Sequence, residues 1–242
     1  MTDLAGQSIA IIDYGMGNLR SVEKAFHKVG ATGAFVTEDP AAVAKADKAV
    51  LPGDGSFDST MRSLRQSGVD RVSLDFIASG RPFLGICVGM QALMTSSEEG
   101  EQGVLGLDVI PGRVHRFAST IDLNSSPSLL GRGGEERAGV GLLKVPQIGW
   151  NELMFTPDSP LGAGLLLPEI PHSTFHIPNF PMAYFLHSYY CMPDDPAHIA
   201  ARTEYGVTYA SALHRDNVWA TQFHPEKSGK VGLTILTNFA CL

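Results

Sequence analysis

Cys87 stands in the run Gly85-Ile86-Cys87-Val88-Gly89, at the end of an apolar stretch that starts at Pro82. A second apolar stretch, Val218 to Phe223, ends in His224-Pro225-Glu226. A thiol, an imidazole and a carboxylate are the parts of a nucleophilic triad. The imidazole takes a proton and later returns it to the leaving group, while the carboxylate holds it in one tautomer. The chemistry expected of such a set is thiol attack on an amide, with a covalent acyl intermediate.

Each part also has an ordinary reading, a core cysteine between packing glycines and a solvated turn. Together they are more specific. Gly-x-Cys-x-Gly between a strand and a helix has the form of a nucleophile elbow, where small residues let the turn tighten and the helix pack on the strand. The helix N-terminus would aim N–H groups at the sulfur and favour the thiolate. Met90, Leu93 and Met94 would supply that helix with apolar positions. Pro225 fixes the backbone between His224 and Glu226, so that both side chains can leave one strand end. The other seven of the eight histidines, His115, His172 and His214 among them, default to surface or packing roles.

The elements that must hold these residues are legible from hydrophobic spacing. Ser8 to Asp13 reads as a buried strand, followed by a turn through Tyr14-Gly15-Met16-Gly17-Asn18. Leu19, Val22, Phe26 and Val29 recur at helical spacing before Gly30. Strands are expected at Ala34–Thr37 and Lys48–Leu51, the latter stopped by Pro52-Gly53. Short and long helices are expected at Pro40–Ala46 and Phe57–Ala78, the long one interrupted near Gly68. Strands alternating with helices imply a mostly parallel central sheet flanked by helices, in the α/β class. The second half adds a strand-rich part: Val104–Val109, Ala183–Met192, Val207–His214 and Val218–Phe223. The tail, Lys230–Leu242, returns to helix. Residues 7–242 read as one domain. Its two long loops are 119–141, rich in Ser, Gly and charge, and 156–181, which carries six prolines.

Bulk properties narrow the class. The 242 residues are 44% hydrophobic, enough for one full core, and the net charge of −7 disfavours nucleic acid or an anionic membrane as partner. No signal peptide is visible, and no apolar run approaches the roughly 18–20 residues that span a bilayer. Three scattered cysteines suit neither a disulfide framework nor a zinc site, so a reduced, cytoplasmic protein without a metal is expected.

The chain resembles the class I (triad) glutamine amidotransferases, and within them is most similar to the glutaminase subunits of imidazole glycerol phosphate synthases. The pieces are Asp13-Tyr14-Gly15-Met16-Gly17-Asn18-Leu19, Leu51-Pro52-Gly53-Asp54-Gly55-Ser56-Phe57 and Gly85 to Gln91, followed by Pro146-Gln147-Ile148-Gly149-Trp150-Asn151, Phe185 to Tyr190 and Gln222 to Ser228. They cover nearly the whole chain apart from the two loops. The resemblance implies that Cys87, His224 and Glu226 are catalytic. It implies an oxyanion site made by N–H groups at Gly53-Asp54 and Val88, and that Gln91, Ser188 and Tyr189 grip the amino-acid end of glutamine. It further implies docking on a (β/α)₈ cyclase subunit through Asn18, Pro146, Trp150, Tyr190 and Lys227, with no cofactor. One departure is Asp54, where the family has an apolar residue; its side chain should point to solvent. A paralogue supplying ammonia for surface-sugar amination would share these pieces. A non-enzymatic protein built on the same elbow would generally lack His-Pro-Glu.

Overall fold

The computed structural model describes residues 4–100, 103–122, 140–165 and 180–242. In the first half, β1 (Ile9–Ile12), β2 (Ala34–Thr37), β3 (Lys48–Gly53) and β4 (Phe83–Cys87) alternate with α1 (Leu19–Lys28), α2 (Pro40–Lys45), α3 (Phe57–Ser67) and α4 (Val69–Ala78). Local chemistry sets the boundaries. The Asp39 carboxylate caps α2 by accepting from the Ala41 N–H at 2.9 Å, with Pro40 in the first turn. Gly68, at φ 73°, closes α3 and opens α4, a left-handed conformation that glycine adopts without steric cost.

After β4 come α5 (Val88–Ala92), β5 (Met94–Ser97), β6 (Ile110–Arg116), β7 (Thr120–Asp122) and β8 (Val140–Leu142). Next are β9 (Gln147–Glu152), β10 (Met154–Phe155), β11 (Met182–His187), β12 (Tyr189–Pro193), β13 (Ile199–Glu204), β14 (Thr208–Arg215), β15 (Val218–Thr221) and α6 (Gly229–Cys241). The main sheet runs β2-β1-β3-β4-β15-β14-β12-β6-β5, with β13 on β14 and β10 on β13. β2, β1, β3, β4 and β15 are mutually parallel; β14 and β12 turn the sheet antiparallel. β9 and β11 form a separate antiparallel ribbon.

Two apolar layers cover the parallel half. Ile9 and Ile11 face α1 and α6, where Phe26 and Phe239 meet at 6.2 Å between ring centroids. Ala10 and Ile12 face the other layer, with Val43, Phe57, Met61, Leu64 and Phe76. A strand buried on both faces still alternates, but both sets of residues are apolar. No helix among the described residues is long and apolar enough to cross a membrane.

Several sequence expectations change. Pro52-Gly53 does not stop β3: pairing with β1 ends at Val50, whereas pairing with β4 continues to Gly53. Pro52 therefore lies beyond β1, where its missing N–H leaves no ladder bond unmade. The helix after Cys87 is shorter than expected, and Met94 begins β5; a short apolar run does not distinguish helix from strand. Val104–Val109 is no strand. Its backbone instead wraps the end of α5, the Leu107 and Val109 N–H groups donating to the Ala92 and Leu93 carbonyls. Ala183–Met192 is two strands broken at Ser188 and paired into different sheets. The loop expected at 119–141 has paired ends, β7 with β8, and the middle of each long loop lies outside the described residues.

Candidate active site

Cys87 ends β4 at φ 55°, ψ −114°, a strained turn for a residue with a side chain. The glycines around it are required by close approach rather than by turning. A Cβ on Gly89 would lie 2.0 Å from the Leu51 carbonyl oxygen, and one on Gly85 would lie 2.8 Å from the Gly89 oxygen. The first turn of α5 thus rests directly on β3 and β4. Cys87 is register partner to Gly53 on one side, and on the other Thr221 pairs with Ile86, which brings the residue after β15 beside the thiol.

His224 follows β15 and opens a single 3-10 turn over Pro225–Lys227. That turn brings Glu226 back under the ring, Oε1 accepting from Nδ1 at 2.9 Å. Both side chains are buried. With Nδ1 committed to the carboxylate, Nε2 is the nitrogen left for the thiol. Burial alone would lower the imidazole pKa, but hydrogen bonds to Cys87 and Glu226, and the charges on both, raise it to about 10. The structure therefore brings the three triad candidates together, the imidazole between thiol and carboxylate. Its protonated form is the favoured one beside these two acids.

Gly53 is packed against the start of α5: a Cβ there would sit 2.3 Å from the Gly89 nitrogen. The Gly53-Asp54 turn and Val88 accordingly both adjoin Cys87. Asp54 is exposed, and its carboxylate accepts from the Gly55 N–H at 2.8 Å, directed into its own turn. Tyr14 is a contributor that spacing did not single out. Its buried hydroxyl donates to the Pro52 carbonyl at 2.8 Å and holds the turn from behind; desolvation by burial pushes its pKa up.

Gln91 is buried beside this site, its Nε2 donating to the Tyr189 carbonyl and to Gln222 Oε1, each at 3.2 Å. Tyr189 thus meets Gln91 through its backbone, and the Ser188 carbonyl is taken by the Phe117 N–H at 3.0 Å. Behind them His187 is buried, one of the histidines expected to have a surface or packing role. Its Nδ1–H donates to the Tyr189 carbonyl at 2.8 Å, and Nε2 lies 3.3 Å from the Tyr209 hydroxyl. Desolvation lowers its pKa to about 4, the nearby His224 contributing.

Of the expected interface residues, Trp150, Asn18 and Lys227 are exposed and Pro146 is half-buried. Trp150 lies on the β9–β11 ribbon opposite Tyr184, and with Ile148 and Leu186 it forms an exposed apolar face. Tyr190 is different: it is on β12 in the main sheet, its ring packed on Phe117 at 4.9 Å. Tyr184 and Ser228 tie the ribbon to the triad. The Ser228 hydroxyl accepts from the Tyr184 N–H at 2.9 Å and donates to the His224 carbonyl at 2.6 Å. Only the odd-even alternation along 182–187 hints at Tyr184 in the sequence, where Ser228 appears only as the end of the resembling piece Gln222 to Ser228.

Residues 10–241 match the family described as glutamine amidotransferase class-I. The chain is 50% identical to a Geobacter sulfurreducens protein named imidazole glycerol phosphate synthase subunit HisH, covering 96% of this chain and 97% of that one. A Syntrophotalea carbinolica protein of the same name is 48% identical over 96% of this chain and 98% of its own length. A crystal structure titled glutamine amidotransferase superposes with a TM-score of 0.62, covering 97% of this chain and 99% of that one, at 17% identity. That last likeness concerns the fold.

Proposed function

Since the chain belongs to the class I glutamine amidotransferases, we infer that it is the glutaminase subunit of an imidazole glycerol phosphate synthase. It hydrolyses L-glutamine to glutamate and ammonia, and the ammonia passes to a cyclase subunit that makes imidazole glycerol phosphate and AICAR in histidine biosynthesis. The relatives of that name, about half identical over nearly the full chain, support the subunit assignment. The observation that carries the chemistry is the buried line from Glu226 through His224 to Cys87.

The Cys87 thiolate attacks the side-chain carbonyl carbon of glutamine, and the oxyanion is met by N–H groups of the Gly53-Asp54 turn and Val88. One such donor is typically worth about 3 kcal/mol of transition-state stabilisation. His224 Nε2–H gives its proton to the leaving nitrogen, so that ammonia departs and a glutamyl thioester remains. Water then attacks the thioester, His224 takes its proton, and the thiolate leaves as glutamate forms. Gln91, Ser188 and Tyr189 hold the amino-acid end; with both Gln91 amide hydrogens committed, its carbonyl oxygen is the group suited to an α-ammonium.

Ammonia released into water is protonated and lost to the synthase reaction, so the site must open into a partner. The exposed apolar face of Ile148, Trp150 and Leu186, together with the exposed Lys227 and Asn18 and the half-buried Pro146, supports docking of a (β/α)₈ cyclase as a heterodimer. Tyr190 would act from beneath this face, through packing. The reading carries a cytoplasmic location with it. Reconstitution with the cyclase tests it: Cys87→Ala should abolish glutamine-dependent synthesis and spare synthesis from added ammonium salts. Loss of both activities together would refute channelling between two separate sites.

A further inference from the structure

Gln222 is fully buried, directly after β15 and two residues before His224. The orientation of its amide is fixed by an atom that cannot change role. The Tyr189 carbonyl only accepts, so the end of Gln91 that meets it at 3.2 Å is the NH₂ group. The same nitrogen lies 3.2 Å from the Gln222 side chain, whose facing atom must then be the carbonyl oxygen. This leaves the Gln222 NH₂ turned towards the Cys87 sulfur, 3.8 Å away. An amide that is ordinarily ambiguous has one orientation here.

We propose that Gln222 is a positioning residue for the nucleophile: its Nε2–H stabilises the Cys87 thiolate and aims the sulfur, with its own direction set by Gln91 and Tyr189. The proposal rests on the reading of Cys87 as nucleophile. His224, Tyr14 and Cys191 are titratable groups that interact electrostatically with Cys87. Only His224 among them is a proton shuttle in the reaction, so its charge changes during turnover. An amide N–H does not titrate. It remains a donor when the tetrahedral adduct of the thioester collapses and the C–S bond breaks, returning the electron pair to sulfur.

The test uses the full chain and reads alkylation of the Cys87 peptide by iodoacetamide against pH, by mass spectrometry, together with kcat and KM for glutamine. Gln222→Met keeps the bulk without the donor, and Gln222→Glu keeps the shape but turns an acceptor to the sulfur. The alkylation midpoint is expected to rise by about one pH unit in the first and further in the second. kcat should fall about tenfold or more, with a smaller change in KM. Unmoved midpoints in folded variants would overturn the role of Gln222. Should neither variant fold, the wild-type Gln222 side-chain amide resonance is followed by NMR across the same pH range: movement with the Cys87 titration supports the proposal, and a silent resonance overturns it. Alkylation of wild-type Cys87 that spares glutaminase activity would overturn the nucleophile reading itself, and this proposal with it.

Discussion

The His224 backbone N–H donates to the Tyr184 carbonyl at 3.0 Å, so the proposed catalytic base hangs on the strand that carries half of the exposed apolar ribbon. Whatever presses on that ribbon presses on the imidazole. In the proposed complex this gives docking a direct mechanical route to the triad, one hydrogen bond long on each side of Ser228.

Ser228→Ala removes the hydroxyl that joins β11 to the turn at His224 and leaves the Tyr184 N–H and the His224 carbonyl without it. A loss of about 1–3 kcal/mol of stability is expected, read by thermal or urea unfolding. The rise in glutaminase rate on adding the cyclase should shrink several-fold. An unchanged rise would mean that Ser228 does not transmit docking.

Glu226 is almost wholly buried, and its Oε2 has no partner among the described residues. His224→Ala should therefore do more than stop catalysis, because it strands a buried carboxylate. About 3–5 kcal/mol of destabilisation is expected, and the double variant His224→Ala/Glu226→Gln should recover much of it. Additive losses in urea titrations would show that the two are not coupled.

The burial of His187 makes stability depend on pH. Its folded pKa, about 4, lies below the ordinary histidine value of 6.5, so between those limits the unfolded chain binds a proton that the folded chain refuses. Stability should fall as pH drops through that window, by about 3 kcal/mol in total from this group. His187→Gln should flatten the slope of unfolding free energy between pH 6.5 and 4. Parallel slopes for the two proteins would exclude His187 as the cause.

Close packing behind the elbow predicts a contrast between two glycines. Gly89→Ala pushes a methyl into the Leu51 carbonyl and should cost about 3 kcal/mol or more, together with activity. Gly80 has φ 78° but open space around it, so Gly80→Ala should cost only the conformational penalty of about 1–2 kcal/mol and leave activity intact. Melting temperatures and glutamine hydrolysis rates decide both.

The helical spacing of Leu19 to Val29, the break at Gly68 and the buried strands up to Cys87 were readable because each is local: periodicity, a left-handed glycine, a cap. Met94, Val104–Val109 and the break at Ser188 were not. Short apolar runs look alike until a partner strand claims them, and here β6, the end of α5 and the β9 ribbon made the claims. The exposure of Trp150 was likewise undecided in the sequence, where an aromatic residue fits a core or a docking face equally well.

Residue types alone determined that this chain holds a thiol, a base and an acid at the ends of apolar segments, since strand ends and glycine turns are written in nearest-neighbour chemistry. Tertiary structure decided how they face each other. Parallel pairing of β4 with β15 put residues more than a hundred positions apart side by side, and a carbonyl on β12 oriented the amides of Gln91 and Gln222. Those relations depend on which strands become neighbours, and strand order is a property of the whole packed chain.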